Sequence, residues 1–136
     1  MGVRLVAVVN AVAAFLTAAF WGLVYVRLFA AGEIADAVLR ASAAATLGFL
    51  VGDLIWAVPL LVLSVPLLWR ARPSGWLFGQ MANALWIYSM TVIWVRDLYS
   101  GTLSPGAVVF APFAAFAVWA SVHLWRVRDR FWGPRP

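Results

Sequence analysis

Four stretches of this chain, roughly residues 5–27, 44–69, 75–95 and 105–126, each run for about twenty residues or more with almost no charge. A helix rises about 1.5 Å per residue, so ~20 apolar residues cross the ~30 Å hydrocarbon core of a bilayer. Only 11% of the 136 residues are charged and 65% are hydrophobic. Soluble domains carry about 25% charged residues and about 45–50% apolar ones, so a water-soluble fold would lack the polar surface to cover itself. The expected architecture is all-α: a polytopic membrane protein whose four transmembrane helices form an up-down bundle, with residues 1–136 as a single domain.

The connections carry their own punctuation. "WRARPSG" (69–75) reads as a tight basic turn, and "RDLYSGTLSPG" (96–106) as a loop in which Ser104 caps the fourth helix with Pro105 at its first position. "AGEIADAVLRAS" (31–42) has helical spacing at Ile34, Val38 and Ala41, which predicts a short interfacial helix over 32–41. The basic tail 127–136 is expected to fray. The first run is too long for a signal peptide and ends in "WGLVYVR" without a small-residue cleavage site, so it reads as a retained span.

Arginine sets the orientation. Arg4, Arg70, Arg72, Arg126, Arg128, Arg130 and Arg135, seven in all, fall at one end of the spans, and Arg27, Arg40 and Arg96, three, at the other. Cytoplasmic loops hold the excess of cations, so both termini are expected in the cytoplasm of a multi-pass cell (inner or plasma) membrane protein. The net charge of +5 is thereby used in topology; no basic groove accompanies it, so nucleic acid is not an expected partner. The partners expected are the lipid bilayer and a second copy of the chain or a larger membrane complex.

Helical spacing sorts residues into stripes. Gly48 and Gly52 share a face of the second span, Gly75 and Gly79 a face of the third, and Ala107, Ala111, Ala114 and Ala117 a face of the fourth. Small residues let helix backbones approach where lipid supplies no hydrophobic drive. These stripes are expected to pack one bundle, or, for the alanine face, to join copies of it. The short 70–74 turn makes the second and third spans antiparallel neighbours, which sets Gly52 against the 90–94 segment and Gly79 against 63–66.

Asp53 stands out within "GFLVGDLIWAVP" (48–59) as the only deeply intramembrane acid. It lies roughly 13 Å from the outer end of its helix at 1.5 Å per residue. A charge near mid-membrane costs about 2.5–3.5 kcal/mol on insertion scales. Asp53 must therefore be protonated, paired with Arg27 or Arg96, or open to a wet outward cavity. The same antiparallel register sets it opposite Thr91. Its expected company is Thr17, Trp56, Trp86, Tyr88 and Thr91, with which it forms a candidate intramembrane polar or ligand site. Pro59 cannot donate to the carbonyl of Ile55, and a kink there would open the bundle beside the carboxyl; membrane helices also tolerate such prolines without consequence. A second polar set, Asn10, Gln80 and Asn83, lies toward the cytoplasmic end and reads as amides clasping helices together.

No catalytic constellation is legible, neither H-E-x-x-H, G-x-S-x-G nor a P-loop. Cysteine is absent and His123 is the sole histidine, so no metal or cofactor set can be assembled from the usual ligands and none is expected. Residues 53–78, "DLIWAVPLLVLSVPLLWRARPSGWLF", resemble a stretch found in uncharacterised bacterial multi-span integral membrane proteins. In those proteins an acid precedes Pro-Leu in one helix and an LLWR-x-RP-x-G turn leads into the next. The matching residues here are Asp53, Pro59, Leu60, Leu67, Leu68, Trp69, Arg70, Arg72, Pro73 and Gly75. The resemblance implies a helical membrane bundle and supplies no mechanism. Two functions remain in view. The leading one is a structural or accessory membrane subunit. The alternative is a small-solute, ion or proton transporter, or a lipophilic-ligand-binding protein, that uses an Asp53 pocket. A water-filled cavity reaching Asp53 favours the alternative, and a dry interior with Asp53 satisfied by its neighbours favours the first.

Overall fold

The computed structural model describes residues 2–30 and 37–133. The described chain is helical throughout: α1 (Gly2–Tyr25), α2 (Ala37–Gly52), α3 (Val58–Trp69), α4 (Pro73–Ser100), α5 (Pro105–Arg126) and the single turn α6 (Asp129–Trp132). Two π-turns interrupt it, Val26–Ala30 after α1 and Asp53–Ala57 between α2 and α3. Three segments are long and apolar enough to cross a membrane: Gly2–Leu28, Ala43–Trp69 and Pro105–Arg126. The longest helix, α4, is not among them, because Gln80, Asn83 and a run of Trp, Tyr and Ser side chains dilute its hydropathy.

Pairwise packing follows chain order. α3 lies between α1 and α4, α4 lies between α3 and α5, and α1 touches α5. The interior is built from small side chains. Ala13 and Ala14 of α1, Ala82 of α4, and Ala114 and Ala117 of α5 are buried around Leu60, Leu61 and Met90. A second apolar cluster joins Val6, Ala7, Leu68, Ala120, Leu124 and Phe131. It marks the proximal end, where the chain starts and α6 ends. Phe131 closes this end from α6, and Trp132 meets Trp76 edge-on at 5.3 Å. Helix α6 carries the described chain through Trp132 to Gly133, with Phe131 buried against the bundle; residues 134–136 lie outside the described residues.

Helix ends explain the turns. After α3, the Arg72 amide donates to the Leu67 carbonyl at 2.9 Å and the Ala71 amide to Leu68 at 3.0 Å. Those two bonds define a Schellman stop, with Ala71 at φ 47° in the position glycine usually fills. Pro73 then opens α4. α4 ends in the same motif at the distal end, with Gly101 at φ 65° and the Thr102 amide on the Asp97 carbonyl at 3.1 Å. Ser104 caps α5, its hydroxyl accepting from the Ala107 amide. The helix expected over 32–41 falls largely outside the described residues; from Ala37 the backbone is helical and continues unbroken into α2.

α2 is set apart from this packing. Among the described residues its main backbone neighbour is the π-turn that follows it. Among the described residues, no atom from outside the helix's own adjoining turns lies within 4 Å of where a Cβ on Gly48 or Gly52 would stand. The close approach expected between Gly52 and the 90–94 segment is therefore not made. Intimate glycine contacts occur instead at the other end of the pair. A Cβ on Gly75 would strike the Leu67 main chain, and one on Gly79 would meet Leu124 at 3.2 Å and Leu68 at 3.4 Å, not residues 63–66. The alanine face of α5 is used within the chain: Ala107, Ala114 and Ala117 are buried and Ala111 is half-buried.

Candidate functional site

The π-turn at Asp53 lies directly before Pro59 in the chain. Lacking an amide hydrogen, Pro59 cannot bond the carbonyl of Ile55, and its ring crowds that carbonyl. The helix widens, and the Val58 amide donates to the Asp53 carbonyl, five residues back. Such a π-bulge inserts one extra residue into the helix and shifts the phase of what precedes it. Below the bulge, Ala57, Leu60 and Ser64 face inward and are buried. Trp56 is turned to the outside and is 62% exposed.

Asp53 is partly buried and faces the bundle rather than the surroundings. The indole nitrogen of Trp21, on α1, donates to Asp53 Oδ2 at 2.8 Å. Among the described residues the ion pairs are Arg96–Asp97 and Arg128–Asp129, so Asp53 has no arginine partner. Between α1, α2, α4 and α5 lies a cavity of about 440 Å³ that reaches Asp53. Phe20, Trp21 and Val24 of α1 line one side, with Thr46 and Phe49 of α2 beside them. Leu85, Trp86, Met90 and Ile93 of α4, and Phe110 of α5, line the other. Its distal rim carries Arg27, Arg96 and Ser104. The aromatic rings form a connected wall: Phe20 meets Trp21 at 5.2 Å and Phe110 at 5.1 Å, and Phe110 meets Trp86 at 5.3 Å, all edge to face.

The sequence-predicted residues divide cleanly. Asp53, Thr17 and Trp86 line the cavity, although the Thr17 hydroxyl is spent on the Ala13 carbonyl of its own helix at 2.7 Å. Trp56, Tyr88 (66% exposed) and Thr91 do not reach it. Thr91 donates back to Ile87 at 2.7 Å, and Met90 occupies the inward position beside it. Trp21 is the partner that spacing arguments did not select. The available signal was its place on the Asn10–Thr17 stripe of α1, at a depth close to that of Asp53.

Asn10 and Gln80 each make a hydrogen bond to a neighbouring helix rather than to each other. The Asn10 amide donates to Ser64 Oγ at 2.8 Å, joining α1 to α3, and Ser64 donates to the Leu61 carbonyl at 2.7 Å. Gln80 donates to the Ser121 carbonyl at 3.1 Å, joining α4 to α5. Asn83 is buried, and its amide nitrogen has no partner among the described residues. His123 stacks on Trp119 at 5.0 Å and packs against Gly2.

Asp97 is the second carboxylate with a structural signature, and the sequence reading did not single it out as a site residue. It lies beyond the apolar 75–95 run. Its Oδ2 accepts from both the amide and the hydroxyl of Ser104 at 2.7 Å, and its Oδ1 from Arg96 at 2.8 Å. The Ser104 amide and hydroxyl, followed by Arg96, hold its carboxyl down to about 2. Asp97 thus staples the α4–α5 loop that forms the rim of the cavity.

Chemically, the cavity offers one carboxylate, the Trp21 indole donor already engaged, the Trp86 indole nitrogen buried without a partner among the described residues, and mainly apolar walls below a rim that carries Arg27, Arg96 and Ser104. No group of three metal-ligating side chains gathers among the described residues. Comparison with family models, curated proteins and solved structures finds no match for this chain.

Proposed function

We propose that this protein is a four-span membrane protein, with both termini cytoplasmic, that binds a small lipophilic molecule in its distal cavity beside Asp53. The observation that carries this reading is a cavity of about 440 Å³ at the one deep carboxylate. Ligand pockets occupy roughly 300–1,000 Å³ and combine apolar walls with a few placed polar groups. A purely structural carboxylate would be expected to sit in packed surroundings. Here α2 stands off and leaves space around it.

Binding is favoured over conduction by the packing on the proximal side. Leu60, Leu61, Ala13 and Ala82 are buried between the cavity and the Asn10–Ser64 pair. No chain of polar groups bridges the two among the described residues. The fourth span is α4. Its 28 residues extend about 42 Å at 1.5 Å per residue. The tight turn after α3 returns it across the same thickness, and Gln80, one of the amides that lower its hydropathy, is satisfied inside the bundle. The seven-to-three arginine split supplies the orientation.

The test is ligand-dependent stability. A panel of lipophilic compounds is screened by thermal unfolding of the purified protein against a Ser89→Trp variant, whose new side chain fills the cavity. A true ligand at a hundredfold its Kd stabilises by about 2.7 kcal/mol, and Ser89→Trp abolishes that gain. If no compound stabilises the wild type more than the filled variant, the reading fails.

A further inference from the structure

We infer that the occupant of this cavity is a hydrophobic organic cation, an apolar body carrying one ammonium-type or delocalised positive charge that sits against Asp53. The inference rests on the binding reading above and adds the chemical class of the ligand.

Three features select that class. The first is charge. Asp53 has no arginine within ion-pair distance among the described residues, although Arg27 and Arg96 both line the cavity; Arg96 is committed to Asp97 at 2.8 Å. A carboxylate surrounded by low-dielectric walls is stabilised by an opposite charge brought to it and opposes a like one. An anionic ligand would therefore be repelled at the deep end, and a neutral one would leave the carboxylate unbalanced.

The second feature is the wall. Phe20, Trp21, Trp86 and Phe110 all line the cavity. Aromatic rings attract cations through their quadrupole, more strongly where water is excluded, and this is how proteins recognise quaternary ammonium groups. Trp21 is both a wall and the donor that holds one oxygen of Asp53 at 2.8 Å, which fixes the carboxylate and leaves its other oxygen for the ligand.

The third feature excludes inorganic cations. A metal ion or a bare alkali ion needs several oxygen or nitrogen ligands to replace its water. Beside Asp53 the cavity presents mainly Phe, Trp, Leu, Ile and Met, and no three metal-ligating side chains converge among the described residues. A cation whose charge is already covered by carbon needs no such shell, and the same walls that exclude a hydrated ion bury its apolar body.

The experiment uses the full chain in lipid nanodiscs of phosphatidylglycerol, with empty discs subtracted. Calorimetry is run separately with tetraphenylphosphonium, with tetraphenylborate of the same shape and opposite charge, and with neutral triphenylmethane. The wild type is expected to bind tetraphenylphosphonium at least tenfold more tightly than the neutral probe, and tetraphenylborate most weakly. Asp53→Asn, which keeps an oxygen for Trp21, should lose the cation preference while holding the neutral probe within about threefold; Asp53→Glu should retain the preference. Adding phosphatidylethanolamine separates two sources of the cation. A fall in apparent affinity identifies a lipid amine headgroup as the natural occupant, and no change identifies a free amphiphile. Equal binding of cation and neutral probe, or preference for the anion, overturns the inference and leaves the cavity reading intact. Failure of both the cation and the neutral probe to distinguish wild type from Ser89→Trp removes the cavity reading as well.

Discussion

Replacing Gly75 with alanine should destabilise the protein, while the same change at Gly52 should leave it as stable or more so. At Gly75 a Cβ would lie 2.6 Å from the Leu67 carbonyl oxygen and would also press on the main chain of Leu67 and Leu68. That main chain cannot yield cheaply, because its carbonyls are held by the amides of Arg72 and Ala71. Overpacking of this kind costs about 1–3 kcal/mol, and the better helix propensity of alanine returns at most about 1 kcal/mol. The net loss is about 0–2 kcal/mol. At Gly52 no other helix comes within 4 Å among the described residues, so only the propensity gain of up to about 1 kcal/mol operates. The propensity gain is common to both, so the two variants should differ by about 1–3 kcal/mol, roughly 5- to 150-fold in the folded-to-unfolded ratio at 1.4 kcal/mol per decade. SDS titration in mixed micelles, followed by far-UV circular dichroism, reads this difference directly. A Gly75→Ala midpoint above that of the wild type, or a Gly52→Ala variant weaker than Gly75→Ala, would refute the packing described for α3 and α4.

Three further outcomes follow from named contacts. Asp97 has a lowered pKa of about 2, so its stabilisation of the α4–α5 loop is complete above its ordinary value of about 3.9 and is lost as pH falls toward 2. Hydrogen exchange at the Ser104 amide should stay slow at pH 4 and quicken below pH 3, and Asp97→Asn should flatten that dependence; protection already lost near pH 4 would contradict the assignment. Ser64→Ala strands the buried Asn10 amide and should cost about 1–2 kcal/mol, most of it recovered when Asn10→Leu is added, as a double-mutant cycle would report. A C-terminal alkaline phosphatase fusion should be inactive in the periplasm, and an active one would reverse the proposed orientation.

Much of the helical framework was legible along the chain, because apolar length and turn chemistry are local properties. The apolar runs, the Arg70–Arg72 stop followed by Pro73, and the Ser104 cap with Pro105 behind it all emerge from residues close in sequence. The site was legible only in part. Asp53 announces itself, since a carboxylate in an apolar run must find a partner or a cavity. Its partner does not, because periodicity says which residues share a face and nothing about which helix meets that face. An ideal-helix register puts Asp53 opposite Thr91. The π-turn before Pro59 adds a residue and shifts the phase of what precedes it, and the carboxylate meets Trp21 instead. Whether a proline in such a helix is absorbed, kinks it or widens it depends on what packs around it. The stand-off of α2, which leaves Gly48 and Gly52 open and creates the cavity, is likewise a property of the assembled bundle. Helix composition determined that these segments associate; the fit of Gly75, Gly79 and the alanines of α5 against their neighbours decided where they touch and where they leave room.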